Sequence, residues 1–248
     1  QSVIPAEEKE VTYTEFLPCE ALRPFIYCYW ELKSPPRNTP FFYRVVADGC
    51  IDLFFECDNP QMSSLMGYCN TYVEIPIMGA FHYVGVRFLP SAFPLLFGQD
   101  AFEISAQEIP LREVVPALAT FIAQQLETSL SLATIAQRLD VYFLRYLSQR
   151  PLQIDNRFFS ALSQILQSKG SIHISQLDTG ISPRQLRRLF DYYIGDNPKT
   201  FSNIVRFQHI LSAKAYHNHS FLDTYYDQAH FIKSFKTFYG DTPSKVLG

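Results

Sequence analysis

Three arginines fall within one short stretch of the chain, from Ser182 to Phe190, which reads S-P-R-Q-L-R-R-L-F. Arg184, Arg187 and Arg188 carry planar guanidinium groups, whose paired donors match guanine O6 and N7 as well as phosphate oxygens. A helix that displays such side chains on one face has the shape and charge that a DNA major groove accepts. The alternative is a solvated surface helix without a partner, because charged helix faces are common.

The same stretch contains the signals of a helix start. Ser182 can accept hydrogen bonds from first-turn N–H groups, Pro183 suits the first helical position, and Gln185 completes a capping box. Apolar residues then recur at helical spacing and predict a face buried against the rest of the domain. These residues are Leu186, Leu189 and Phe190.

The charge of the chain is unevenly distributed. Over 248 residues the formal net charge is −3, which taken alone argues against a nucleic-acid partner. From Pro151 onward, however, there are 11 basic and 7 acidic residues, against 10 and 17 before it. This asymmetry indicates a basic binding module joined to an acidic domain. A hydrophobic content of 47% is sufficient for a sizeable core.

Cysteine use and hydropathy predict a reduced, cytoplasmic protein. The five cysteines lie in the first third of the chain, without a C-x-x-C pair or a zinc-type spacing. The N-terminal residues are polar and unlike a secretory signal, and no apolar run approaches the roughly 20 residues of a membrane span. We therefore expect free thiols, a cytoplasmic location and no membrane partner.

The first 150 residues predict strands followed by helices. Asp48-Gly49, between the apolar runs 41–46 and 50–57, is typical of a β-hairpin turn. Gly79 indicates a further turn and Gly85 a bulge. The other predicted strands cover 11–16, 72–78 and 81–89. Residues 21–33 predict a short helix that runs into a strand. Helices are predicted at 91–97, 111–125 and 130–149.

The last of these helices carries an apolar stripe with two interpretations. Its members recur at helical spacing and indicate one apolar face. The stripe either packs on the sheet of its own domain, which we favour, or forms a seam between two copies in a homodimer. The stripe consists of Leu132, Ile135, Ala136, Leu139, Phe143, Tyr146 and Leu147.

Residues 150 to 154 predict a linker, and the chain beyond them is helical throughout. Asp155 or Asn156 caps a first helix that stops at Gly170, and a short turn follows at 174–179. A longer helix is predicted from Pro198 to about Tyr216, with Phe201, Ile204, Val205, Leu211 and Ala215 inward. A short element near Phe221 and a final helix capped by Asp227, with Phe231, Phe235 and Phe238 inward, complete the chain.

Two short basic helices, at 182–194 and 227–239, are built alike. Each has a cap, an apolar face and a glycine stop, followed by Asp196-Asn197-Pro198 in one copy and Asp241-Thr242-Pro243 in the other. The helix between them has about 19 residues, or roughly 28 Å. Successive major-groove faces on one side of B-DNA are about 34 Å apart, so such helices can enter adjacent grooves together.

The residues just described carry a family resemblance. The segment Y-Y-D-Q-A-H-F-I-K-S-F-K-T-F-Y-G-D-T-P-S, from Tyr225 to Ser244, and I-S-P-R-Q-L-R-R-L-F match signatures of one family. The segment from Asp155 to Leu247 resembles the double helix-turn-helix DNA-binding domain of AraC/XylS-type transcription regulators. The resemblance implies a regulator whose partner is double-stranded DNA.

By position, the resemblance assigns roles to individual side chains. It places Arg184, Arg187 and Arg188 at base-facing positions of the first recognition helix, and Gln228, Ala229 and Lys233 at those of the second. His230 is expected to cap or to pack. Phosphate contacts are expected from Lys199, Lys236 and Lys245, and from the N–H groups near Pro198 and Pro243.

The chain departs from the family in the helices that support the recognition helices. The first supporting helix, between Ile174 and Ser182, is about two residues short. The second, between Ala215 and Tyr225, is about five or six residues short. The departure puts in question the strength of DNA binding and the placement of the second recognition helix.

Three segments of the first 150 residues resemble the N-terminal domains of a subgroup of the same regulators. They are R-P-F-I-Y-C-Y-W, V-A-D-G-C-I-D-L-F-F and G-V-R-F-L-P. By analogy this domain is a β-barrel or sandwich with trailing helices that binds an effector, dimerises or does both. Arg44 and Arg87 lie in predicted strands, where they can hold an anionic small-molecule effector or form cross-strand ion pairs.

No enzyme signature is found in the sequence. G-x-S-x-G, P-loop and dinucleotide fingerprints are absent, and before residue 151 the sole histidine is His82, which we expect to pack. We therefore predict no catalytic residue, no metal site and no cofactor. Asp48, Asp52 and Glu56 are explained by turn chemistry and exposure.

Together these observations predict an α+β protein. Residues 1–150 form an effector-binding or dimerisation domain of barrel or sandwich type, and residues 155–248 form an all-α domain of two helix-turn-helix units joined by a linker helix. The predicted function is sequence-specific DNA binding in transcription regulation, with an effector and a second copy of the chain as further partners. The alternative is a degenerate helical module that binds another regulator and not DNA.

Overall fold

The computed structural model describes residues 2–3 (backbone alone), 10–126, 129–212 and 228–246. Strands fill the first part of the chain and helices the second, so the predicted α+β fold class is confirmed. The strands are β1 (Ser2–Val3), β2 (Thr12–Phe16), β3 (Ile26–Ser34), β4 (Phe41–Val45), β5 (Ile51–Glu56), β6 (Asn59–Met66), β7 (Val73–Ile77), β8 (Phe81–Phe88) and β9 (Glu108–Pro110).

Two antiparallel sheets face each other in the N-terminal part. One sheet has the order β1-β4-β7 and the other β2-β3-β8-β5-β6-β9. Apolar side chains from both sheets form a shared core, as expected when the inner faces of two sheets alternate with outer polar faces. This core contains Val11, Cys28, Trp30, Leu32, Phe41, Tyr43 and Phe81.

The predicted hairpin around Asp48-Gly49 is wrong. β4 pairs with β1 and β7, whereas β5 pairs with β6 and β8 in the other sheet. Asp48-Gly49 therefore turns the chain from one sheet to the other. The turn chemistry itself is as predicted, because Asp48 Oδ1 accepts from the Cys50 N–H at 2.9 Å.

Two other details of the sheets also differ from the predictions. β6 was not predicted, since its polar sequence N-P-Q-M-S-S lacks the alternation of a half-buried strand. The predicted bulge at Gly85 is absent, because Gly85 pairs with Trp30 in continuous register. The register shift between these strands lies instead between Ile26 and Cys28.

The helices after β8 cover the six-stranded sheet. They are α1 (Ala92–Phe97), α2 (Ala101–Ile104), α3 (Leu111–Val114), α4 (Pro116–Gln125) and α5 (Leu132–Ser148). One helix was predicted for 111–125, but Pro116 starts a new one because it has no N–H to continue the first. Asp140 anchors α5 by accepting from the Tyr29 hydroxyl at 2.6 Å and the Cys19 N–H at 3.0 Å.

The apolar stripe of α5 packs on its own domain. Leu132, Ile135, Ala136, Leu139 and Phe143 are buried in the core beneath the six-stranded sheet. Tyr146 and Leu147, the last two members of the stripe, are half-buried. The burial of the other five agrees with the favoured one of the two interpretations. Homodimer formation itself stays a prediction.

The C-terminal part is helical throughout its described residues. Its elements are α6 (Asn156–Gln167), a 3₁₀ turn (Ile174–Gln176), α7 (Pro183–Ile194), α8 (Pro198–Ser212), α9 (Gln228–Tyr239) and α10 (Pro243–Val246). Asp155 caps α6, as predicted, by accepting from the N–H groups of Arg157 and Phe158. The predicted continuation of α8 through Ala215 to Tyr216, the element near Phe221 and the Asp227 cap lie outside the described residues.

The C-terminal core extends into the N-terminal part. Its aromatic centre is formed by Phe158, Phe190, Phe201, Phe207 and Phe235, each at most 1% exposed. The same core contains Val46 and Ala47, which lie between β4 and β5, and Tyr68, which lies between β6 and β7. The two predicted domains are thus packed together, while the boundary at 150–155 stays a proposal.

Candidate nucleic-acid interface

The N-terminus of α7 is fixed by the predicted capping box. The Ser182 side chain accepts from the Gln185 N–H at 3.3 Å, and Gln185 Oε1 accepts from the Ser182 N–H at 3.1 Å. Pro183 occupies the first helical position. Each bond satisfies a backbone donor that the helix itself leaves without a partner, so this end of α7 is rigidly defined.

One face of α7 anchors the helix in the C-terminal core. Leu186 and Phe190 are buried as predicted, and Leu189 is half-buried. The Phe158 ring packs edge-on against Phe190 at 5.1 Å and stacks on Tyr193 at 4.4 Å between centroids. These aromatic contacts hold the helix so that its opposite face is presented to solvent.

Arg184, Arg187 and Arg188 are all exposed on that opposite face. Arg187 Nε lies 3.9 Å from Asp191 Oδ2 one turn along the helix. Partial burial raises the pKa of Asp191, while the Arg187 guanidinium opposes that rise. Within the described ranges, Arg184 and Arg188 form no ion pair, so both guanidinium groups are accessible to a ligand.

The second predicted recognition helix, α9, is anchored in the same way. Phe231, Phe235 and Phe238 are buried, as the sequence predicts, and Phe207 of α8 packs 5.4 Å from both Phe235 and Phe238. The face that carries Gln228, Ala229 and Lys233 is exposed. His230 is exposed as well, and its expected role in capping or packing stays a prediction.

The three lysines predicted to contact phosphate are exposed. Lys199 lies in the first turn of α8, Lys236 in the last turn of α9, and Lys245 in α10. Lys245 Nζ is 3.2 Å from Asp241 Oδ1. Near Pro198, two first-turn N–H groups donate to Asn197 Oδ1 at 3.1 and 3.0 Å, so they are engaged within the chain.

The two copies of the internal repeat have the same local geometry. Asp196 Oδ1 accepts from the N–H of Asn197 at 2.6 Å, and Asp241 Oδ1 accepts from that of Thr242 at 2.8 Å. The preceding glycines have φ values of +97° and +94°, and the prolines that follow are buried at the start of α8 and α10. The repeated sequence is therefore a repeated structure.

Both glycine stops dock against the N-terminal part. A Cβ at Gly195 would lie 2.2 Å from Ser105 Oγ, and a Cβ at Gly240 would lie 2.7 Å from the Tyr72 ring. Ser105 Oγ also donates to the Gly195 carbonyl at 3.2 Å, and the Tyr72 N–H donates to the Thr237 carbonyl at 3.2 Å. Each candidate recognition helix is thus held by the N-terminal part of the chain at its C-terminal end.

The space between the two sheets contains a cavity of about 290 Å³. Its walls are mostly apolar and aromatic, and one end is polar, as is usual for small-molecule sites. The lining includes Trp30, Tyr43, Phe54, Tyr83, Asp52 and Arg87. Hereafter we call this space the barrel cavity.

The two arginines predicted to bind an effector have different surroundings. Arg87 lines the barrel cavity, is 2% exposed and bonds through Nε to both oxygens of Asp52 at 3.1 and 3.2 Å. Arg44 Nη2 pairs instead with Glu74 across the strands at 2.6 Å, and its guanidinium lies 5.5 Å from the Tyr239 ring centroid at the docking surface. Effector binding by either side chain stays a prediction.

Asp52 is the polar residue that the sequence interpretation misjudged. The sequence predicts an exposed position in a hairpin, whereas Asp52 is 8% exposed and accepts from Trp30 Nε1 at 2.8 Å. Burial raises the pKa of its carboxyl, and the Arg87 guanidinium and the Trp30 N–H oppose that rise. The residues on either side of Asp52 in β5 are apolar, and a strand of apolar residues can be buried on both faces. This pattern was the signal in the sequence that Asp52 is buried.

The remaining candidates for chemistry have structural partners. His82 Nε2 lies 2.9 Å from Glu31 Oε1 in a half-buried pair, and the five cysteines are free thiols. Among the described residues, no group of three His, Cys, Asp or Glu side chains is placed to hold a metal ion. Within the same ranges, no helix has the length and apolar character needed to cross a membrane.

Comparisons with known proteins give a family match and a structural similarity. Residues 14–110 match the model of a family described as a domain of unknown function, DUF6597. No curated protein matches the chain. The crystal structure of ToxT from Vibrio cholerae O395 is similar over 96% of this chain and 97% of that chain, with 10% identity and a TM-score of 0.43. At that level, the similarity carries no argument about function.

Proposed function

We propose that this protein is a sequence-specific DNA-binding transcription regulator. In this proposal, α7 and α9 are recognition helices that enter two adjacent major grooves. Arg184, Arg187 and Arg188 contact bases from the first, and Gln228, Ala229 and Lys233 from the second. The resemblance of residues 155–247 to AraC/XylS-type regulators supports this assignment.

The observation that carries the proposal is the duplication of one helix design. Both α7 and α9 bury an aromatic face, expose a face with basic residues, and end in a glycine followed by the same aspartate turn. α8 lies between them in the chain and extends over 15 described residues, roughly 22 Å at the usual rise. Two such faces suit a ligand that repeats its surface, as duplex DNA does.

We further propose that the N-terminal part modulates DNA binding through the barrel cavity. The cavity combines an apolar lining with a buried carboxylate and guanidinium at one end. That arrangement suits a small molecule with an apolar body and one polar group, since directional hydrogen bonds at one end would orient it. Arg87 is the candidate contact at that end.

The salt dependence of binding to a random-sequence duplex tests the electrostatic part of this proposal. Each phosphate neutralised contributes about 0.9 to the slope of log affinity against log salt. We expect a steep slope for the full chain, and a slope lower by about 1 for Lys236→Ala. Lys33→Ala is the control, because Lys33 is an exposed lysine of β3, outside the C-terminal helices.

Absence of binding at 50 mM salt would contradict the proposal, as would a slope that stays flat. Either result would favour the alternative class, in which the helical part binds another regulator. Apolar docking between proteins depends far less on salt than contacts with phosphates.

A further inference from the structure

Residues 47–49, which we call the corner, connect β4 in one sheet to β5 in the other. The backbone of Ala47 is bound on both sides by C-terminal helices. Its N–H donates to the Phe238 carbonyl of α9 at 3.1 Å, and its carbonyl accepts from Gln208 Nε2 of α8 at 2.6 Å. One residue of the N-terminal part is therefore bonded to both the linker helix and the second candidate recognition helix.

The rest of the corner contacts the linker helix and a buried arginine. Gly49 lies against the fully buried Phe201 ring of α8, and a Cβ at this position would be 2.9 Å from that ring. The Asp48 carboxylate is 3.8 Å from Arg87 Nε. The corner thus joins Arg87 to the helices of the C-terminal part.

Arg87 also lines the barrel cavity. It shares Nε between Asp48 and Asp52, and Asp52 in turn accepts from Trp30 Nε1, which lines the same cavity. On its other side, Arg87 lines a groove of about 300 Å³ together with Gln208 and Ser212. Hydrogen bonds and ion pairs therefore lead from the cavity to Asp48, and the peptide bond between Asp48 and Ala47 completes the path to the α8 contact.

We propose that the corner couples the barrel cavity to the docking of α8 and α9. When a small molecule forms hydrogen bonds with Asp52 or Arg87, the Arg87 guanidinium changes its pairing between Asp52 and Asp48. The corner then shifts with Asp48. This inference rests on the proposed function, because it gives the N-terminal part its route to the DNA-binding helices.

Two physical features make this route effective. The groups are buried, so the ion pairs are weakly screened by solvent and a lost partner is costly. Coupling between two sites is also reciprocal, so a change at the α8 contact must alter the cavity as much as the cavity alters α8. The reciprocity allows a test from both directions without knowledge of the effector.

The first arm of the test perturbs α8 and observes the cavity in the full chain. Trp30 is the single tryptophan of the sequence and lines the cavity, so its fluorescence reports on that site. Gln208→Ala removes the bond to the Ala47 carbonyl, and we expect a shifted emission maximum and stronger acrylamide quenching. Gln167→Ala is the matched control, because Gln167 is an exposed glutamine of α6 whose side chain bonds to Ser163 of its own helix.

The second arm perturbs the cavity and observes the helices by amide hydrogen exchange. Asp52→Asn weakens the hold on Arg87, and exchange within 198–212 and 228–240 is expected to accelerate at least about fivefold, the lower end of usual coupling strengths. Trp30→Phe, which deletes the Nε1–Asp52 bond and keeps an aromatic ring, is the milder variant if Asp52→Asn does not fold. Tyr83→Phe alters the cavity wall away from this pair and is the control.

The outcomes separate this inference from the proposed function. If both arms respond and their controls do not, the coupling stands, whether or not the chain binds DNA. If the variants behave like their controls in both arms, the coupling is overturned, even in a chain that binds DNA with a steep salt slope.

Discussion

The arginines of this chain occupy two kinds of environment. Arg87 is enclosed by Asp48 and Asp52 and is 2% exposed, whereas Arg184 and Arg188 project from α7 into solvent. A buried guanidinium that has carboxylate partners is committed to the fold, since removing a partner leaves an uncompensated charge. An exposed guanidinium without an ion-pair partner in the described residues is available to an external ligand.

Arg188→Ala is predicted to relax base preference with little effect on stability. A lost bidentate contact to guanine costs roughly 1–3 kcal/mol on the preferred duplex and less on others. Competition binding between the preferred duplex and single-base variants measures this effect. Arg157→Ala is the control, because Arg157 is an exposed arginine of α6 that pairs with Asp155. An unchanged preference in Arg188→Ala would exclude a base contact by this side chain.

At the scale of elements, α7 depends on its cap. The capping box supplies two backbone bonds at the N-terminus, and the Phe158, Phe190 and Tyr193 rings fix the helix in the core. Because the candidate base contacts begin within the first turn, a frayed N-terminus would displace them.

Ser182→Ala is predicted to lower the free energy of unfolding by about 1 kcal/mol, the usual value of a lost N-cap. Chemical denaturation of the full chain measures it. Ser163→Ala, at an exposed position of α6, should remain within about 0.5 kcal/mol of the unchanged chain. Equal effects of the two substitutions would mean that the cap does not stabilise α7.

Short-range sequence patterns predict helices that are capped and have one buried face. The caps at Asp155 and Ser182 and the buried faces of α5, α7 and α9 follow from short-range spacing, which one helix alone determines. The Asp48-Gly49 hairpin failed because a turn signal does not specify which strand becomes the partner. β6 was missed because pairing with β5 and β9, and not its own pattern, makes it a strand.

At the scale of the whole molecule, the two parts of the chain share a core and a docking surface. Tyr72 and Ser105 contact Gly240 and Gly195, the glycines that end α9 and α7. Val46, Ala47 and Tyr68 are buried with the C-terminal aromatic residues. These contacts join residues that are far apart in sequence. Sequence patterns in either part alone do not predict them. For the same reason, the predictions of an exposed Asp52 and of a hairpin at Asp48-Gly49 are wrong.

Gly240→Ala is predicted to destabilise the docked arrangement more than Gly180→Ala. Both positions have positive φ values, +94° and +65°, so an alanine costs roughly 1–2 kcal/mol at either. Only the Cβ at Gly240 would meet a neighbour within 4 Å, the Tyr72 ring. We expect an additional loss of about 1 kcal/mol or more in denaturation experiments.

A double-variant cycle assigns that additional loss to docking. In a Tyr72→Ala background, Gly240→Ala should cost about as much as Gly180→Ala, because the ring is gone. If Gly240→Ala still costs more than Gly180→Ala in this background, the additional loss originates within α9 and not at the surface between the two parts.

We propose that α7 and α9 together read duplex DNA. The most direct measurement is selection of preferred sites from random duplexes with the full chain, followed by footprinting on the enriched sequence. We expect an enriched motif that spans two successive major grooves, about 34 Å apart on one face of the duplex. Failure to enrich any sequence, or a footprint confined to one groove, would contradict it.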